Sequence, residues 1–109
     1  MRLGMCLALL LVLVSCATVG KHFVFDGPQS IQIGKTTSAE ILKKYGEPFR
    51  VGYESGNLRW TYGYYLYRSI GESETKDLVI TFDAKGVVTS YDYSTSMKDE
   101  KAAILNSNP

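Results

Sequence analysis

Residues 59 to 68, Arg-Trp-Thr-Tyr-Gly-Tyr-Tyr-Leu-Tyr-Arg, alternate along their whole length, and that pattern commits the chain to a β-sheet. Successive side chains of a strand point to opposite faces. Trp60, Tyr62, Tyr64 and Leu66 therefore share one face, which is expected to form core. Arg59, Thr61, Gly63, Tyr65 and Tyr67 share the other. Two aromatics between Arg59 and Arg68 look like a contact surface, because aromatic and guanidinium groups are enriched where proteins meet. The plainer alternative is that these tyrosines only cover a solvent-facing sheet.

The rest of the chain supplies the partners for this strand. Asp77–Phe82 alternates with Leu78, Ile80 and Phe82 inward, and Asp83-Ala84-Lys85-Gly86 is a tight turn. Val87–Ser94 then returns antiparallel with Val87, Thr89, Tyr91 and Tyr93 on one face, an alternation that Val88 breaks. Phe49–Tyr53 before the turn Glu54-Ser55-Gly56-Asn57 offers a fourth short strand. Residues 69 to 76 read as a polar loop. Upstream, Thr37-Ser38-Ala39-Glu40 forms a capping box, in which the threonine accepts from the N–H three residues on and the glutamate reaches back to the cap. It opens a helix over Ser38–Tyr45, which Gly46 and Pro48 close. Ile41, Leu42 and Tyr45 mark its buried face. A helix of two turns is unstable alone and must dock on the sheet. The expected class is α+β: one short helix, or two, packed on an antiparallel sheet of three strands, or four.

The N-terminus carries a different signal. Arg2 leads into an uncharged apolar run from Leu3 to Val14, closed by Leu13-Val14-Ser15-Cys16. Twelve residues of helix rise about 18 Å, against a hydrocarbon core of roughly 30 Å, so the run suits a signal peptide and not a span. Its end resembles the bacterial lipobox, which implies cleavage before Cys16 and a lipid on its thiol. Two or three acyl chains anchor far more firmly than one. The expected divisions are a signal peptide over 1–15, a lipidated tether over 16–30 that lays one extended piece against the domain, a domain over 31–96 and a tail over 97–109. With Cys6 leaving in the leader and Cys16 lipidated, no disulfide or thiol chemistry is expected.

Composition narrows the function further. The chain has 12 basic and 11 acidic residues, and a domain so balanced, without a Lys/Arg run, has no footprint for nucleic acid. His22 is the sole histidine and lies in the expected tether, so a histidine-based triad lacks its base. Glu72 and Glu74 are paired in a polar loop where nothing raises a carboxyl pKa. No glycine precedes a helix in a phosphate-loop pattern. No catalytic residue, cofactor or metal is expected, and a small hydrolase is the weakest reading.

The string Ile33-Gly34-Lys35-Thr36-Thr37, then Ile41-Leu42, then Gly46-Glu47-Pro48, resembles the opening of the SmpA/OmlA (BamE-like) lipoprotein family. Trp60-Thr61-Tyr62 resembles its W-x-Y strand, and Leu78–Asp83 with Gly86-Val87-Val88 resembles its hairpin. The likeness spans roughly residues 31 to 93. It implies an α-α-β-β-β order, although Asp26-Gly27-Pro28 leaves little room for the family's first helix. It also implies an outer-membrane lipoprotein, lipid-anchored and facing the periplasm. Such a protein serves as a non-enzymatic scaffold in β-barrel protein assembly or envelope integrity, with protein partners from the assembly machinery and anionic phospholipid in some members. A periplasmic binding or inhibitor module, presenting the aromatic sheet face to a soluble protein or glycan, is the alternative from a different class.

The capping box yields the first prediction. Thr37→Ala should cost about 1 kcal/mol in a chemical-denaturation curve, and an unchanged midpoint would count against the cap.

Overall fold

A computed structural model describes residues 17 to 107; the expected leader over 1–15 and Cys16 lie outside the described residues. Strand β1 (Ala17–Gly20) comes first, followed by a single 3-10 turn (Pro28–Ser30) and helix α1 (Ser38–Tyr45). Strands β2 (Arg50–Glu54), β3 (Asn57–Tyr67), β4 (Glu74–Phe82) and β5 (Val88–Thr95) follow, and helix α2 (Lys98–Ser107) closes the described chain. The class is α+β, as expected. The order α-α-β-β-β is not: a strand precedes the helix, the antiparallel sheet has five strands where three or four were expected, and the second helix comes last. The local reason is visible at Gly27, whose φ of 99° no helix accommodates, and at Pro28, which starts a turn only three residues long.

The strands pair in the order β1-β3-β4-β5, and β2 also pairs with β3. With β4 on one side of β3, strands β1 and β2 lie end to end along the other. β2 takes Asn57–Thr61 and β1 takes Tyr64–Tyr67. The eleven residues of β3 make it long enough to serve both. Thr18 and Val19 are β-branched and suit the extended backbone. Gly20, at φ 81°, then turns the chain off the sheet, and the Lys21 N–H donates to the Gly63 carbonyl at 3.1 Å. Between β2 and β3 the Ser55-Gly56 pair has positive φ at both positions, 51° and 83°, which is the twist a two-residue hairpin prefers.

One face of the sheet is covered. Leu78, Ile80, Phe82 and Val88 are fully buried, with Tyr62 beside them. Ile41 and Tyr45 of α1 close over this core, joined by Phe23 and Ile31 from the segment expected as tether and domain start. Leu42 departs from expectation. It is 41% exposed, so the docking stripe is the narrower Ile41/Tyr45 pair one turn apart. Thr37 caps α1 by accepting from the Glu40 N–H at 3.3 Å, but Glu40 meets the Thr37 hydroxyl instead of reaching its backbone. The Tyr62 hydroxyl donates to the Gly46 carbonyl at 2.8 Å and so ties β3 to the end of α1.

The facing of β5 is also corrected. Phe82 pairs with Val88 while Thr81 pairs with Ser90, so Thr89 is an extra residue in a β-bulge. The bulge puts Val88 on the core face with Tyr91 and Tyr93, and takes Val87 and Thr89 off it. The Thr89 hydroxyl donates to the Thr81 carbonyl across the irregularity, at 3.2 Å.

Gly20 is where the β1 attachment can be broken. A Cβ there would lie 2.2 Å from the Gly63 carbonyl oxygen, on a backbone that side chains rarely adopt. Gly20→Ala should cost about 1–3 kcal/mol and release β1 while leaving β4 intact. Amide exchange read by mass spectrometry should show lost protection in 17–21 and retained protection in 76–82; unchanged exchange in 17–21 contradicts this.

Candidate functional site

Helix α1, the Phe23–Ile31 segment and α2 through Glu100 meet the core face, and the opposite face of the sheet has no covering layer among the described residues. Ala17, Val19, Arg59, Thr61, Gly63, Tyr65, Tyr67, Asp77, Val79 and Asp92 share it by register. This open face is the candidate contact surface, and the structure separates the four residues expected on it.

Tyr65 is not a free aromatic. Its ring folds back over Gly63, where an added Cβ would lie 2.8 Å from the ring. Its hydroxyl donates to the Asp77 carboxylate, whose residue is the cross-strand partner of Gly63. Phe49, at the gap between β1 and β2, meets the ring edge-on at 6.2 Å. Glycine at position 63 is thus required by the ring that roofs it. The hydrogen bond to Asp77, followed by burial, pushes the Tyr65 hydroxyl up to about 12. Tyr67, half exposed, is the aromatic left free, opposite Ala17. Arg59 pairs with Glu54 at 3.3 Å on the open face. Arg68 lies past the end of β3 and pairs with Glu74 at 3.5 Å, away from Tyr65 and Tyr67. Its groove, about 420 Å³, runs between the β3–β4 loop and the start of α2 and is lined by Glu72, Ser96 and Lys98 among others. Arg59, Tyr65 and Tyr67 therefore share a face, and Arg68 does not.

The covered face holds a cluster that sequence reasoning missed. Lys76, only 2% exposed, belongs to β4 and not to the polar loop expected over 69–76. Its ammonium lies 3.5 Å from the Glu100 carboxylate of α2 and 3.4 Å from His22 Nε2. It also sits over the rings of Phe23 and Tyr64, at 5.3 and 5.9 Å. His22 in turn meets Tyr64 edge-on at 5.0 Å. The second Glu100 oxygen accepts from the Tyr93 hydroxyl. A buried ammonium is costly unless charges and rings compensate it, and this one has both. The missed signal was phase: Lys76 stands two residues before Leu78, in step with Leu78, Ile80 and Phe82, so extending the strand upstream turns it inward.

The electrostatics of this cluster are those of a clasp. Burial would raise the Glu100 carboxyl, but hydrogen bonds from Tyr93 and Thr95 and the charge of Lys76 outweigh it and hold its pKa below the usual value. Burial, then the bond to Glu100, pushes Tyr93 well above the ordinary tyrosine range. Burial likewise raises Tyr62 to about 12. Tyr62 and Tyr93 are thus held protonated and Glu100 ionised. Among the described residues, no group of three or more His, Cys, Asp or Glu is placed to hold a metal ion.

Compared with family models, curated proteins and solved structures, the chain matches none.

The raised tyrosines set an alkaline limit. A group whose folded pKa lies above its unfolded value of about 10 favours folding fully below that value. The contribution fades as pH rises toward the folded pKa. Stability should therefore fall between about pH 10 and 12, the window defined by Tyr62 and Tyr65. Ultraviolet titration of phenolate should show a late step near pH 12, and Tyr65→Phe should remove part of that step. A single step near pH 10 in both proteins would contradict the assignment.

Proposed function

We propose that this protein is a lipid-anchored envelope lipoprotein of SmpA/OmlA type, held at the outer membrane and facing the periplasm. On this reading it works by contact, as a scaffold in β-barrel assembly or envelope integrity, and it is not an enzyme. The observation that carries the contact reading is the one-sided architecture. A sheet with its packing on one face leaves the other available for contact, since antiparallel sheets can present one face outward. The open face has apolar side chains from Val19, Val79 and Tyr67 among charged groups that already have partners or lie at its margins, a mixture typical of non-obligate interfaces.

Anchorage is supported by the sequence. The apolar run ending at Leu13-Val14-Ser15-Cys16 supplies the lipid address, and no helix among the described residues is long and apolar enough to cross a membrane. The family likeness is supported by where its motif residues fall. Thr37 caps α1, Gly46 ends it with its N–H on the Leu42 carbonyl at 2.8 Å, and Gly86 closes the β4–β5 turn at φ 80°. These are positions where the residue type matters to the backbone. Non-catalytic action is supported by the clasp, which uses the buried ionisable groups to join β4, α2 and the N-terminal segment.

Two measurements test the reading together. Labelled palmitate should enter the wild-type protein and not Cys16→Ser. Affinity capture from solubilised membranes should retain β-barrel assembly subunits with wild type and lose at least half of them with Arg59→Glu/Asp92→Lys, a charge exchange on the open face. Absence of label rejects the anchor, and undiminished capture rejects the open face.

A further inference from the structure

We infer that the end of the sheet where β1 begins rests directly on the bilayer, with Ile70 as the side chain that enters it. The inference rests on lipidation at Cys16 and adds to that reading the orientation of the domain. Ala17 is already a strand residue, paired with Tyr67. Consecutive Cα atoms are about 3.8 Å apart, so the lipid-bearing residue has no slack between itself and the sheet. A lipid there brings the end of β3 to the membrane surface.

That end is built from few parts. The β3–β4 loop, residues 68 to 73, leaves Tyr67 and carries Ile70 at its tip, and the β5–α2 junction at Ser96 and Met97 lies beside it, lining the same groove. Ile70 is 84% exposed, more than any other large apolar side chain described. It stands three residues beyond Tyr67, so at most about 11 Å of extended chain separates it from the pair that holds Ala17. Half-exposed Tyr67 suits the boundary, with an apolar ring and a polar tip. An exposed isoleucine beside a membrane-borne residue has an obvious solvent in hydrocarbon.

Charge narrows the kind of surface. Arg68 pairs with Glu74 and Lys98 with Glu72, each at 3.5 Å, and Asp99 adds a further negative charge. The end is therefore not basic, and anionic head groups are not what it recognises. Its partner is the apolar margin of a bilayer of any head-group charge. The acyl chains supply the affinity, and Ile70 fixes how the domain stands.

The test uses the full lipidated protein in phosphatidylcholine vesicles. Cys16 is consumed by the lipid, so one introduced cysteine takes an environment-sensitive fluorophore alone. Ser69→Cys places the probe beside an intact Ile70. Lys85→Cys places it in the β4–β5 turn, at the other end of nine residues of β4, about 27 Å away. Lipid-borne nitroxide should quench the Ser69 probe at least threefold more than the Lys85 probe, and Ile70→Asp should at least halve that difference. Equal quenching at the two sites, in protein that carries palmitate and stays on the vesicles, overturns the inference while leaving the anchor standing. Protein without palmitate that washes off the vesicles overturns both.

Discussion

The pairing of β1 with the second half of β3 is the constraint on which the rest depends. It makes a segment that composition marks as a tether into an edge strand, and it fills the stretch of β3 that the short β2 hairpin cannot reach. A strand edge left open is a template for unwanted pairing. Here two short strands share the job, with Phe49 near the gap and Gly20 pressed against the Gly63 carbonyl. Once β1 is in register, the chain must cross to the covered face. That crossing delivers His22 and Phe23 to Lys76, and Phe25 to a stacked contact with Tyr93 at 4.5 Å.

The two faces then divide the work. The covered face puts its polar groups to structural use: Lys76, Glu100 and Tyr93 satisfy one another, and Tyr62 reaches the helix end. Replacing a compensated buried pair by apolar groups can be neutral, whereas removing one partner strands a charge. The clasp is thus better understood as fixing α2 and the N-terminal segment in one place than as a large source of stability. The open face has its own lock in Tyr65, laid over Gly63 and bonded to Asp77.

Much of this was legible in the sequence where a local rule acts alone. The alternation of Leu78, Ile80 and Phe82, the Ser55-Gly56 turn, the cap at Thr37 and the stop at Gly46 are each decided by a few neighbouring residues. What was not legible depends on distant partners. Ala17–Gly20 becomes a strand because β3 has an unpaired stretch. Lys76 turns inward because Phe23 and Glu100 arrive from opposite ends of the chain, some fifty residues upstream and twenty-four downstream. Val88 breaks its alternation because a bulge at Thr89 absorbs one residue. Of the candidate surface, the sharing of a face by Arg59, Tyr65 and Tyr67 followed from period two. The same period takes Arg68 off that face: it is in phase with Leu66, whose cross-strand partner Glu74 it pairs with.

The central claim is that the N-terminal segment belongs to the sheet, and nuclear Overhauser effects in the lipidated chain in detergent micelles measure it directly. Cross-strand backbone contacts between Ala17 and Tyr67, Thr18 and Leu66, and Val19 and Tyr65 are the predicted result, since opposed residues of antiparallel strands lie about 4.5–5.5 Å apart. Random-coil shifts over 17–20 with no contact to β3 would contradict the account.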